Sequence, residues 1–292
     1  MQTIARSVLD AIGNTPIVEL RKVTPAGSAR ILGKLEFANP TGSMKYRMTK
    51  AAIEGAEARD LLTPGATVVE YTAGTTGVSL ALVCAVKGYH LEIVFSDAFS
   101  EEKRRMMEAF GARITDVTSE RKKITESLIK AMIDTAAEIS LRPQHWYRDQ
   151  INNTDAVNGY RPLGEEIRAQ TEGPVDAFVR AVGTAHASHG AAEALRAQRP
   201  GIRIVAVEPH ESAVLSGSPT GSHQIEGVGI GFLPPLWNPE LVDEIQSVAR
   251  SMPRRWCAGW PLRKESLRAH RRAPMWWLPF AWRNGWGPVR RW

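Results

Sequence analysis

The order of apolar and polar positions predicts strands and helices in alternation along most of the chain. Short apolar runs rich in β-branched residues indicate strands, and apolar residues at helical spacing indicate amphipathic helices. The predicted strands span residues 17–20, 29–37, 67–71, 90–95, 113–117, 177–182 and 202–207. The predicted helices span residues 7–12, 44–59, 74–87, 100–110, 123–139, 156–170 and 189–198. This alternation predicts an α/β fold built on mostly parallel sheets.

Two interruptions indicate how the chain divides. A polar, aromatic stretch at residues 144–154 breaks the alternation, and no pattern persists from residue 250 onward. We therefore predict two lobes, each a mostly parallel sheet flanked by helices, followed by an irregular tail. The larger domain takes residues 1–40 and 155–249, the smaller one residues 41–154, and the tail residues 250–292.

Composition narrows the class of protein. The 292 residues have ordinary apolar and charged fractions, with no run long enough to span a bilayer and no apolar signal-peptide core at the start. Cys84 and Cys257 are too few for a disulfide framework or a metal cluster. We therefore predict a cytoplasmic protein without metal or membrane partner. The net charge of +6 comes from the tail, which has no groove-fitting pattern, so nucleic-acid binding is not predicted either.

One lysine lies at an unusual place. Asn39 and Pro40 break the strand that precedes it, and Ser43 is a suitable N-cap for the helix that follows. Lys45 then falls in the first helical turn, where the positive end of the helix dipole disfavours a charged amine. A lysine that acts as a neutral nucleophile gains from this position. The alternative is an ordinary solvated lysine.

Three strand-to-helix turns offer backbone N–H groups that can bind anions. They are the turn around Ser43 and Lys45, the segment Thr72–Gly77, and the segment Gly183–Ala187. The alternative is that glycine and threonine serve only the conformation of each turn. The segment at residues 227–231 is rich in glycine, but it does not predict a dinucleotide site because no helical pattern follows it.

These motifs resemble those of the cysteine synthase family, whose members are fold-type II pyridoxal-phosphate enzymes. The resemblance rests on Asn39-Pro40 followed by Ser43 and Lys45, on the three turns, and on the stretch at residues 150–153, and it extends to about Val248. It implies a larger domain that binds pyridoxal 5'-phosphate and a smaller one that carries the substrate loop. The cofactor residues it implies are Lys45, Thr75, Gly183, Thr184, Ala185, His186, Ala187 and Gly227. The substrate residues it implies are Thr72, Ala73, Gly74, Thr76 and Gln150.

The chemistry implied by the resemblance is β-replacement on an amino acid, as in cysteine biosynthesis. Lys45 would bond the cofactor and act as general base, and sulfide or a thiol would replace the leaving group of an O-activated serine. The resemblance also implies a homodimer. Two alternatives stay open: β-elimination of the serine or threonine deaminase type, and a catalytically impaired remnant of such an enzyme.

Several positions depart from the family pattern. Tyr46 stands where the family has aspartate, and Thr75 stands where it has an asparagine that binds the cofactor's 3′-oxygen. Ala185, His186 and Ala187 replace two glycines and a threonine of the phosphate loop, which predicts weak cofactor binding. No Ser-Ser-Gly turn, whose serine binds the pyridine nitrogen in the family, follows residue 248.

The tail has an unusual composition. Seven of the nine tryptophans lie at residues 250–292, and Glu265 is the one acidic residue there. Read in another frame, the codons of residues 275–279 give Val-Val-Ala, an ordinary helical sequence. We therefore predict that the tail is a frame-shifted reading of a lost segment and that the chain is catalytically impaired. The alternative is a real tail whose tryptophans pack on the core.

Overall fold

The computed structural model describes residues 4–21, 27, 29–221, 223, 225, 227–249 and 279–282. The chain forms two compact units. The first contains residues 1–14 and 36–160, and the second contains residues 15–35 and 161–292. These ranges differ from the predicted domains mainly in the first fourteen residues, because Leu9 joins the hydrophobic core of the first unit. The predicted assignment of cofactor and substrate roles to two domains remains a proposal.

The first unit is built on a four-stranded parallel sheet. Its strands are β3 (Thr67–Tyr71), β4 (His90–Phe95), β5 (Arg113–Asp116) and β6 (His145–Tyr147). They lie in the order β5-β4-β3-β6. The helices of this unit are α1 (Lys45–Ala58), α2 (Thr75–Lys87), α3 (Glu101–Ala109), α4 (Glu126–Ser140) and α5 (Asp155–Asn158). Parallel strands leave their carboxyl ends at one edge, where the loop from β3 to α2 carries the candidate residues of the second turn.

The core of the first unit joins the sheet to its helices. Tyr46 and Ile53 of α1, Leu80 of α2, Ile93 of β4 and Met107 of α3 are fully buried members of one hydrophobic cluster. Burying a large apolar side chain contributes about 1.5–3 kcal/mol. The apolar periodicity that predicted these helices therefore reflects a shared core, which fixes the helix starts relative to the sheet.

The second unit is built on a six-stranded mixed sheet. Its strands are β1 (Ile17–Glu19), β2 (Leu32–Lys34), β7 (Ala177–Ala181), β8 (Arg203–Pro209), β9 (Glu244–Val248) and β10 (Pro279–Trp282). The order is β1-β2-β10-β7-β8-β9, with β7, β8 and β9 parallel and the other neighbours antiparallel. Its helices are α6 (Arg161–Gln170) and α7 (His186–Gln198).

The tail contributes one short element to this sheet. Residues 279–282 form β10, which pairs with β2 on one side and β7 on the other. The rest of the predicted irregular tail, at residues 250–278 and 283–292, lies outside the described residues. The frame-shifted origin of the tail therefore stays a prediction.

Several predicted elements need correction. The strand predicted at residues 29–37 is only β2, because the chain turns into a 3-10 helix at Glu36–Ala38. The interruption at residues 144–154 contains β6. The helix predicted at residues 156–170 is two helices, because Pro162 has no N–H to continue α5 and instead lies in the first turn of α6. Residues 8–11 form a 3-10 turn capped by Ser7. No helix in the described part is long and apolar enough to cross a membrane.

Candidate active site

The turn before α1 presents Lys45 as the sequence predicted. Ser43 is in an extended conformation, and its Oγ accepts the N–H of Lys45 at 3.0 Å. This bond satisfies one of the orphan donors at the helix start, although Met44 and not the predicted Ser43 directly precedes α1. Lys45 itself is nearly buried, with 9% of its surface exposed. The amine therefore belongs to a side chain held at a fixed helix terminus rather than to a solvated lysine.

A buried ion pair braces the same turn. Arg47 donates from Nε to Glu36 Oε2 at 2.7 Å and from Nη2 to Glu36 Oε1 at 2.9 Å, and both side chains are under 5% exposed. Asn39 Nδ2 donates to Glu36 Oε2 at 3.2 Å, while Asn39 Oδ1 accepts the N–H of Gly13 at 2.8 Å. These contacts tie both ends of the loop that leads to Lys45.

The second turn, at Thr72–Gly77, forms an anion cradle. Thr72 is buried, and its Oγ1 accepts the N–H groups of Gly74 at 3.0 Å and Gly77 at 3.3 Å. Within the described ranges, the N–H groups of Ala73, Thr75 and Thr76 have no acceptor. They lie at the start of α2, where the helix dipole adds to their attraction for a negative charge. This arrangement suits a carboxylate.

Two glycines of this cradle are required by their surroundings. Gly74 has φ +130°, and a Cβ there would lie 2.3 Å from Cδ of Lys103. A Cβ on Gly77 would lie 2.3 Å from Sδ of Met107. Lys103, on α3, therefore covers the cradle with its side-chain stem. No sequence pattern indicates Lys103 as a site residue, because only the packing of α3 on α2 brings it to the loop.

Gln150 lies next to the cradle. It is buried, and its Nε2 donates to the carbonyl of Tyr71 at 3.0 Å, which leaves its second amide N–H for another acceptor. Behind it, Arg148 Nη1 donates to Glu70 Oε2 at 3.0 Å, with both side chains fully buried. Burial raises the pKa of Glu70 to about 7, against the opposing effect of the Arg148 charge. No sequence pattern indicates this pair, because it joins β3 to the residue that follows β6, far away along the chain.

The third turn, at Gly183–Ala187, belongs to the second unit. A Cβ on Gly183 would lie 2.4 Å from the carbonyl oxygen of Gly227, so only glycine allows the two segments to cross. The N–H of Gly229 donates to the carbonyl of Val182 at 3.0 Å, which fixes this crossing. The glycine-rich segment therefore packs directly against the beginning of the turn.

The departures from the family pattern in this turn have distinct consequences. Ala185 adopts φ +66° and ψ −16°, a left-handed conformation that favours glycine. His186 begins α7 three residues earlier than predicted. Its imidazole is buried, with Nδ1 2.7 Å from Thr184 Oγ1. In the part of the chain that the structure describes, the N–H groups of Thr184, Ala185 and Ala187 have no acceptor. The turn thus keeps the donors that a phosphate group needs.

The candidate residues are divided between the two units. Lys45, the cradle at Thr72–Thr76 and Gln150 belong to the first unit, and the turn at Gly183–Ala187 with Gly227 belongs to the second. In the described part of the chain, no group of three or more histidine, cysteine or acidic side chains could hold a metal ion.

Comparisons with known proteins show which family the chain belongs to. A cysteine synthase from Staphylococcus aureus strain Mu50 is 36% identical over 244 residues, which are 83% of this chain and 77% of the relative. The crystal structure of cysteine synthase from Entamoeba histolytica is similar with a TM-score of 0.78 at 36% identity, covering 86% of this chain and 74% of that chain. O-ureido-L-serine synthase gives a TM-score of 0.81 at 32% identity, covering 88% and 81%. The model of the pyridoxal-phosphate dependent enzymes matches residues 8–254, and the chain therefore belongs to that family.

Proposed function

We propose that this protein is an enzyme of the cysteine synthase type. It would replace the β-substituent of an O-activated serine with sulfide or a thiol. The observation that carries the proposal is the lysine turn, in which the nearly buried Lys45 lies at a helix start whose backbone is held by Ser43 and by the Glu36–Arg47 pair. The names of the relatives, cysteine synthase and O-ureido-L-serine synthase, support an O-activated serine as substrate or product.

The residues present fit pyridoxal 5'-phosphate. Lys45 would bond its aldehyde, Thr75 would contact its 3′-oxygen, and the donors of Gly183–Ala187 would hold its phosphate, with Gly227 beside the ring. The observation in favour is that the N–H groups of Thr184, Ala185 and Ala187 have no acceptor among the described residues, since a phosphate group needs such donors. When bound, the group withdraws electrons from the α-carbon of the amino acid.

The chain's own residues have separate tasks in the proposed reaction. The N–H groups of Ala73, Thr75 and Thr76 bind the substrate carboxylate, and the second amide N–H of Gln150 adds a donor. Thr72 fixes the cradle through its two backbone contacts and also keeps a hydroxyl proton to donate. The amine of Lys45 removes the α-proton as general base. Lys45, Thr72, Thr76 and Gln150 are buried, and a site with little water strengthens the electrostatic contacts that these residues make.

A direct experiment tests the proposal. The purified chain is loaded with the cofactor and supplied with O-acetylserine and sulfide, and cysteine, pyruvate and ammonia are measured. We expect cysteine as the main product, and no fixation of the cofactor by borohydride in Lys45→Ala. Pyruvate and ammonia as the main products would favour β-elimination instead. A chain that binds no cofactor would favour the impaired remnant, and fixation in Lys45→Ala would refute the role of Lys45.

The assembly and the location of the protein are proposed from the resemblance alone. We propose a homodimer in the cytoplasm, as the resemblance to cysteine synthases implies. Light scattering of the purified chain measures its mass in solution, and a monomer at all concentrations would contradict the dimer.

A further inference from the structure

Tyr46, the residue after Lys45, is bonded back to the turn that leads into the helix. Its hydroxyl lies 2.7 Å from Oγ1 of Thr41, and the side chain is completely buried. Burial raises the pKa of Tyr46 to about 12, so the phenol keeps its proton at neutral pH. The contact closes a short loop of chain that contains both Ser43 and Lys45.

The loop closed by this contact needs an external brace. Thr41 has φ +51° and ψ +18°, a left-handed conformation that is uncommon for a residue other than glycine. Its neighbour Gly42 also has a positive φ. A bond from a rigid, buried ring holds such a turn in one conformation, because the ring itself is fixed by the core of the first unit.

A second tyrosine holds the other side of the lysine. Tyr160, between α5 and α6, is completely buried, and its hydroxyl donates to the carbonyl of Met44 at 3.2 Å. Three hydrogen bonds therefore hold the chain around Lys45. Tyr160 binds the carbonyl of the preceding residue, Ser43 binds the N–H of Lys45 itself, and the following residue, Tyr46, binds Thr41. Tyr160 and Tyr46 reach this turn from different elements.

We propose that Tyr46 is a positioning residue for Lys45, acting through its hydrogen bond to Thr41. In the resembling family this position carries an aspartate, which would stabilise the helix start by its charge. Here a hydrogen bond between two side chains replaces that effect. Tyr46 does not touch the reacting atoms in this proposal, since it acts through the conformation of the lysine turn. The reactive role of Lys45 rests on the proposed function, but the positioning contact does not.

The test uses Tyr46→Phe, which removes only the hydroxyl. In the cofactor-free protein, the rate at which trinitrobenzenesulfonate modifies Lys45 is measured by peptide mass. Because the turn loosens and exposes a nearly buried side chain, we expect that rate to rise by about threefold to tenfold, the range that one hydrogen bond supports. Thr41→Val, at an exposed position, should give the same rise. The double variant should give no further rise, since both changes delete one bond.

The matched control is Tyr89→Phe. The hydroxyl of Tyr89 donates to Glu57 Oε1 at 2.8 Å in the same unit, and it is not among the contacts of the lysine turn. We expect no change in the modification of Lys45 in this variant. In the loaded enzyme, Tyr46→Phe should lower kcat and leave KM for the amino acid unchanged, because the substrate cradle is intact.

Three results would overturn the proposal. They are an unchanged rate of modification in Tyr46→Phe, an equal rise in Tyr89→Phe, and additive effects of Tyr46→Phe and Thr41→Val. If Tyr46→Phe does not fold, Thr41→Val alone decides the matter. Failure of the proposed function would look different, since cysteine would not be formed while the modification rates still followed the expected pattern.

Discussion

Removing the charge of Glu36 should destabilise the protein strongly, because it would take away the carboxylate that pairs with the buried guanidinium of Arg47. Glu36 and Arg47 are joined by two hydrogen bonds at 2.7 and 2.9 Å, and their side chains are 4% and 3% exposed. Two opposite charges about 4 Å apart attract each other by about 4 kcal/mol at an effective dielectric constant near 20. Breaking such a pair from one side costs about 3–5 kcal/mol.

We therefore expect Glu36→Gln to lower the free energy of unfolding by about 3 kcal/mol, the lower end of that range, because the amide oxygen still accepts one hydrogen bond. Urea unfolding followed by circular dichroism measures the change. Since Asn39 also binds Glu36, the same variant should slow the capture of cofactor by Lys45, which borohydride fixation measures.

A matched control lies on the same helix. Glu54 is paired with Lys50 at 2.9 Å, but their side chains are 42% and 32% exposed. Glu54→Gln should cost only about 0.3–0.5 kcal/mol, because exposed pairs of this spacing contribute little. If Glu36→Gln and Glu54→Gln prove equally mild, the argument that burial makes the Glu36–Arg47 pair essential is refuted.

Three further changes test other parts of the structure. Gly183→Ala should weaken cofactor binding by about fivefold to 150-fold in a titration, because its Cβ would lie 2.4 Å from the carbonyl oxygen of Gly227 and overpacking of this kind costs about 1–3 kcal/mol; unchanged affinity would place the phosphate elsewhere. Tyr46→Asp should lower the free energy of unfolding by about 3–5 kcal/mol, because a completely buried ring is lost; a neutral effect would contradict this. Translating the coding DNA beyond residue 249 in the other two frames should give a Ser-Ser-Gly turn followed by alternating strand and helix patterns. If neither frame gives them, the prediction of a frame-shifted tail is wrong.

The central strands were predictable because their signal is local. The residues of β3 and β4 form apolar, β-branched runs, and the structure places both strands at the predicted bounds. β6 was missed because its three residues, two of them aromatic and one a histidine, carry no alternation of their own. It exists because its backbone pairs with β3, a partner far away in the sequence. Pairing with a distant strand cannot be recognised from a short stretch of sequence.

The candidate site likewise contains some residues that the sequence predicts and others that it does not. The hydrogen bond accepted by Ser43 and the helix starts at Lys45 and Thr75 follow from neighbouring residues, so they could be predicted. Lys103 reaches Gly74 only through the packing of α3, and Arg148 reaches Glu70 only through the register of the sheet. Residues that act from another element therefore require the structure.

The structure also separates the departures from the family pattern by their physical consequences. Tyr46 lacks the charge with which an aspartate would stabilise the helix start. Its ring, however, lies in the core, and its hydroxyl braces the lysine turn. Ala185 differs, because its backbone keeps the left-handed conformation of the glycine that it replaces. That conformation costs an L-residue about 1–2 kcal/mol. A change that decay alone produced would not be expected to gain a buried hydrogen-bond partner. The position of Tyr46 therefore argues for a lysine turn that is held in place in a different way, and the predicted weakness of cofactor binding is to be sought in the turn at Gly183–Ala187.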